Sequence, residues 1–158
     1  MLGALTFAAK WVMAFLPNIE PSSLMVMLFA VTFGFKALYP IYTYVALEFL
    51  INGFNLWSIN YLYIWLILAV AAWLFRRASH PLVWALISGV FGLLFGLLCA
   101  PVYWVVGGWA YAVSWWISGI PFDALHCAGN FVIALLLFNP LRRLLAKLYS
   151  QMTGKSQA

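Results

Sequence analysis

Charge is what this sequence lacks. Its 158 residues include only eight Lys or Arg and three Asp or Glu, 7% of the chain, while 67% are hydrophobic. Soluble domains carry about 25% charged residues, and one of this length exposes a large shell to water that must be polar. A water-soluble enzyme or a nucleic-acid-binding module is therefore excluded, despite a pI near 9.4. Cysteine is scarce as well. Cys99 and Cys127 both fall inside apolar segments and form no metal-ligand spacing with His, so they read as buried thiols. There is no Glu-x-x-His pair, no Gly-x-Ser-x-Gly elbow and no Walker A loop, so the chain has no ATPase site of its own. Ser118-Gly119-Ile120-Pro121 with His126 is too loose a set for a nucleophile and its base. No metal or other cofactor is expected. A cleavable signal peptide is not evident either, because the first basic residue, Lys10, already lies within the first apolar run.

What is present is apolar sequence in lengths that suit a bilayer, where a helical span takes about 20 residues. The expected fold is an all-α integral membrane protein, a compact bundle of six transmembrane helices. The spans are read as Leu2–Leu16, Ser23–Phe35, Ala37–Ile51, Ser58 to Phe75, Leu82 to about Val105, and a sixth from Pro121 to the basic tail. Pro17-Asn18-Ile19-Glu20-Pro21 and Gly53-Phe54-Asn55 break the chain, and Lys36 with Pro40 divides an apolar run too long for one span. Gly107-Gly108 is expected to open a long aromatic connection to residue 120. Residues 1–149 form the membrane domain, and 150–158 a flexible cytoplasmic tail.

The few charges test this topology. Lys36, Arg76, Arg77, Arg142, Arg143, Lys147 and Lys155 all fall on one side of a six-span bundle, and the opposite connections hold no Lys or Arg. The positive-inside rule makes that side, and both termini, cytoplasmic. The acids Glu20, Glu48 and Asp123 all fall on the other side.

An ionisable group within a span costs about 2.5–3.5 kcal/mol on insertion scales, so those present carry information. Asp123, His126 and Asn130 follow i, i+3, i+7 spacing and share one helix face. Asn60 and Tyr61 open the fourth span, and Trp104 and Trp115 belong to a crowd of rings in the last external connection. Each has a plainer reading: Asp123 complements a helix dipole, His126 is a core histidine, Glu48 pairs with Lys10, and the Trp residues form an interfacial belt. Their gathering at one end favours a small-molecule pocket, walled by rings and carrying few oriented polar groups. The stripe Ser88, Gly92, Gly96, Ala100 reads first as internal helix packing.

Six short spans, cytoplasmic termini and the Ala4-x-x-x-Ala8 stripe resemble the substrate-binding S component of an energy-coupling-factor transporter. Three local stretches are similar to family members: Ala4 to Ala8 with Leu16 to Pro21, Gly119 to Phe131, and Pro140 to Arg143. The resemblance implies a binding subunit in a bacterial or archaeal plasma membrane. It would take a vitamin-like nutrient from outside, under a loop containing Glu20 and between spans four to six. Docking on a membrane coupling subunit would use Ala4 and Ala8, and two cytoplasmic ATPase subunits would power uptake. Lys10 departs from the usual apolar first span.

The excess of external acids points to a flat heterocycle, neutral or cationic, as ligand. The expected substrate-binding residues are Glu20, Glu48, Asn60, Tyr61, Trp104, Trp115, Asp123, His126 and Asn130. Competing readings are a self-standing secondary carrier, a small integral-membrane enzyme and a structural assembly subunit.

Overall fold

The computed structural model describes residues 1–15 and 19–154. The expected end of the first span at Leu16, the Pro17-Asn18 break and tail residues 155–158 lie outside the described residues. Helices α1 (Leu2–Val12), α2 (Ser22–Phe33), α3 (Leu38–Asn52), α4 (Leu56–Leu74), α5 (Pro81–Leu93) and α6 (Phe95–Thr153) follow in order, with one tight turn, Gly34–Ala37, between α2 and α3. No strand occurs among the described residues. Three helical stretches, Ser22–Asn52, Leu56–Leu74 and Pro81–Thr153, are long and apolar enough to cross a membrane.

The first of those stretches is folded back on itself. A straight helix would separate residues 22 and 44 by about 33 Å, yet the Ser22 Oγ and Tyr44 hydroxyl are 3.2 Å apart. The reversal falls at Gly34–Ala37, around Lys36, where the charge interrupts the apolar run.

The stretch from Pro81 is a second hairpin. Helical hydrogen bonds carry α5 through Leu94 into α6, so residues 81–107 form one rod. Gly108 then adopts φ 77° and ψ 177°, which no helix contains, and the chain returns as residues 109–153. Tyr103 stacks on Trp115 with centroids 3.8 Å apart, and Trp84 on Phe138 at 4.1 Å, which fixes the two limbs as antiparallel. The small-residue stripe lies in the seam. A Cβ on Gly92 would stand 2.8 Å from the His126 backbone, and one on Gly96 would collide with the Asp123 carboxylate. Close packing of the limbs, the simpler reading of that stripe, is what these residues do.

Three expectations are corrected. The aromatic connection 107–120 is helix from residue 109 onward, and Pro121 sits in the helix interior instead of its first turn. Glycine and proline are commoner in membrane helices than in soluble ones, so Gly119 and Pro121 do not stop this helix as their chemistry suggests. The helix also continues past residue 150 to Thr153, where Gly154 takes the left-handed conformation that ends many helices. Tyr149 anchors that last stretch, packing edge-to-face with Phe33 at a centroid distance of 5.1 Å.

The bundle has two chemically distinct ends. Phe33 meets Tyr149, Phe35 meets Trp73, and the Arg142 guanidinium donates to the carbonyls of Arg76 and Ala78. Lys36, Arg76, Arg77, Arg142 and Arg143 are thereby gathered at one end. α1 begins there too, with Gly3 against Pro40 near the start of α3. The core between the ends is ring-rich: Trp65 is fully buried and packs on Tyr44, Tyr61 and Phe91. Cys99 is buried and Cys127 half-buried, both as free thiols.

Candidate functional site

At the end opposite the arginines, α1, α3 and α4 converge on Lys10. Its ammonium donates to Glu48 Oε1 at 3.0 Å and to the Tyr61 hydroxyl at 3.1 Å, and it lies 3.8 Å from Glu20. Asn52 donates to the second Glu48 oxygen at 2.7 Å, from one helical turn further along α3. Trp57 Nε1 donates to the Tyr61 hydroxyl at 3.3 Å. α4 is positioned for this by the turn before it: Asn55 Oδ1 accepts from the Ser58 N–H, and the Ser58 hydroxyl donates to the Gly53 carbonyl. Glu20, in the connection before α2, is held above the ordinary carboxylate range by burial; the Lys10 charge opposes this and Glu48 adds to it.

Two cavities open beside this network. The first, about 360 Å³, is walled by Lys10, Glu20, Asn52, Trp57, Tyr61 and His126, among others. The second, about 370 Å³, is walled by Gly96, Trp115, Ser118, Phe122 and Asp123. Trp57, Phe95 and His126 border both, forming the partition between them.

Asp123 and His126 are the exceptional groups. Asp123 is buried, and its two oxygens share a single protein donor, the Gly96 N–H, each at 3.1 Å. Among the described residues no cation lies within salt-bridge distance of it. A buried carboxylate with so little compensation is costly unless something supplies a donor or a charge. His126 is 4% exposed, and its Nε2 has no hydrogen-bond partner among the described residues. Trp65, Trp84 and Ser88 also hold unpartnered buried polar atoms, but none of them borders either cavity. The Asp123 carboxylate on the wall of the second cavity can orient a ligand that carries donors or positive charge, and the His126 ring borders the same space, with its unpartnered Nε2 buried behind that wall.

The structure thus brings Glu20, Tyr61, Trp115, Asp123 and His126 to the cavity walls. Glu48 stands behind Lys10 as its partner. Asn60 is fully buried with its amide committed within the protein, donating to the Leu56 carbonyl and accepting from Tyr63. Asn130 lies one turn past His126 but donates to the Ser23 hydroxyl and the Ser88 carbonyl. Trp104 is exposed at the hairpin tip, edge-on to Trp109 and away from both cavities. Ala4 and Ala8 lie exposed on α1. Trp57, Asn52 and Phe95 border the cavities without having been singled out by sequence. Asn52 follows Glu48 by four residues, a helical spacing that signals a contact. For Trp57 and Phe95 no sequence signal separates them from the other rings.

Compared with protein-family models, curated proteins and solved structures, the chain finds no match.

Proposed function

We propose that this chain is the S component of an energy-coupling-factor importer, binding a flat heterocyclic nutrient, neutral or cationic, from the external side. The observation that carries the binding reading is the Asp123 carboxylate, buried without a counter-ion among the described residues on the wall of a ring-lined cavity beside His126. A positively charged ring placed there gains an ion pair with Asp123 and the faces of Trp57, Trp115 and Phe95. The Lys10, Glu20 and Glu48 cluster offers both donors and acceptors to the other end of such a molecule.

In this reading the chain crosses the membrane six times, with α2 and α3 as two short spans and both termini cytoplasmic. The segregation of Lys36, Arg76, Arg77, Arg142 and Arg143 at one end supports that orientation. Ala4 and Ala8, exposed on α1, are available to a membrane coupling subunit, and two ATPase subunits supply the energy. The membrane proposed for it, on the resemblance, is a bacterial or archaeal plasma membrane.

The experiment has two parts. Mass spectrometry of small molecules released from the purified, denatured protein should find a nitrogenous heterocycle; an acidic ligand such as folate or pantothenate would overturn the charge assignment. Liposomes containing only this chain should accumulate nothing. Uptake should appear when the coupling and ATPase subunits are added with ATP, and uptake by the chain alone would make it a carrier.

A further inference from the structure

The arginine-rich end holds a cavity that the nutrient site does not use. It measures about 390 Å³ and lies between the α4–α5 connection and α6, walled by Arg77, Ser79, Asn139, Arg142 and Arg143. Its frame is built. Arg142 donates to the Ala78 carbonyl at 2.8 Å and the Arg76 carbonyl at 2.7 Å, and lies 5.7 Å above the Trp84 ring. Asn139 donates to the Ser79 carbonyl at 3.1 Å. The connection is thus pinned to α6 through its backbone, while Arg77 and Arg143 are exposed at the cavity.

Three guanidinium groups border this space, and among the described residues no carboxylate does. Both ion pairs among the described residues belong to Lys10, and Glu20, Glu48 and Asp123 lie in the other half of the bundle. Clustered guanidinium groups repel one another, and their forked donors fit the oxygens of a phosphate. The surroundings place the cavity at headgroup level. Arg76 stacks 4.2 Å from the Trp73 ring, an interfacial pairing, and Leu82 and Leu144, on the helices that form the walls, are exposed. Basic pockets between membrane helices on the cytoplasmic side suit anionic headgroups, which are concentrated in that leaflet.

We propose that this cavity binds the phosphate of an anionic lipid headgroup. The test uses the full-length protein, washed free of lipid in mild detergent and titrated with phosphatidylglycerol, phosphatidylcholine or inorganic phosphate, with binding read by native mass spectrometry. Phosphatidylglycerol should be retained in preference to phosphatidylcholine, and inorganic phosphate in large excess should not displace it. Replacing both exposed arginines (Arg77→Gln with Arg143→Gln) should weaken retention about 30-fold, at roughly 1 kcal/mol per lost charge, with the circular dichroism spectrum unchanged. If that double variant does not fold, Arg143→Gln alone should weaken retention about fivefold. Equal retention of the two lipids, or undiminished retention by a folded variant, would overturn the site. Inorganic phosphate binding as tightly as phosphatidylglycerol would overturn the lipid and assign the cavity to a soluble phosphate.

Discussion

Lys10 and Glu48 form a 3.0 Å ion pair between α1 and α3, with only 5% of the Glu48 side chain exposed. The pair ties two helices that are separate in sequence, and its Lys10 member lines the first cavity. Truncating one member strands the other. Lys10→Met should destabilise the protein by about 3–5 kcal/mol, because Glu48 stays buried without its cation. The double variant Lys10→Met/Glu48→Gln should recover much of that loss. Thermal unfolding in detergent across the four-member cycle measures the coupling; additive losses would mean that the pair contributes nothing.

The hairpin seam predicts opposite outcomes for two glycines. A Cβ at Gly92 meets the His126 backbone at 2.8 Å, whereas one at Gly119 meets nothing within 4 Å. Gly92→Ala should cost about 1–3 kcal/mol through overpacking. Gly119→Ala should be neutral or stabilising by up to ~1 kcal/mol, as expected for a glycine in a helix. Equal unfolding temperatures for the two variants would contradict the close approach of the limbs.

Asp123 should behave as a binding group and not as a structural one. Asp123→Asn removes a buried, poorly compensated charge, so the ligand-free protein should become more stable by about 1–3 kcal/mol. Affinity for the copurifying cation should fall about 10- to 100-fold at the same time. Tryptophan fluorescence, reporting from Trp57 and Trp115, can follow the titration. Lower stability together with unchanged affinity would assign Asp123 to the fold alone.

The parts legible in sequence were those set by solvent. The apolar runs marked the helices, Lys36 marked the reversal between α2 and α3, and the scarcity of charge sorted the two ends. Spacing along one helix was legible too, since Asp123 and His126 share a face and both reach the second cavity. That face does not stay functional along its length, because Asn130 meets Ser23 and Ser88 instead of open space. Which neighbour a residue meets across the bundle is a tertiary fact, and sequence spacing is silent on it. Asn60 stands at the same end of the bundle as the site and next to Tyr61, yet successive helix residues point about 100° apart, and its amide is spent on Leu56 and Tyr63. The aromatic connection misled for another reason. In water its glycines and proline would end a helix by freeing backbone groups, whereas here Gly108 alone makes the reversal.

The rod of residues 81–107 has a consequence for the surrounding lipid. At 1.5 Å per residue it is about 40 Å long, against about 16 Å for the eleven residues of α1. A hydrocarbon layer of about 30 Å is thinner than one flank of this protein and thicker than the other. With α1 as the first of six spans, as proposed above, the membrane would thin around α1 or the whole molecule would lean, at a fraction of a kcal/mol for each ångström left unmatched. Longer acyl chains match the rod better and α1 worse, so unfolding temperatures measured in nanodiscs should pass through a maximum at an intermediate thickness, and insensitivity to thickness would show that the mismatch is not felt. In the proposed assembly, a coupling subunit seated against α1 would replace deformed lipid, so the bilayer itself would supply part of the attraction between the two proteins.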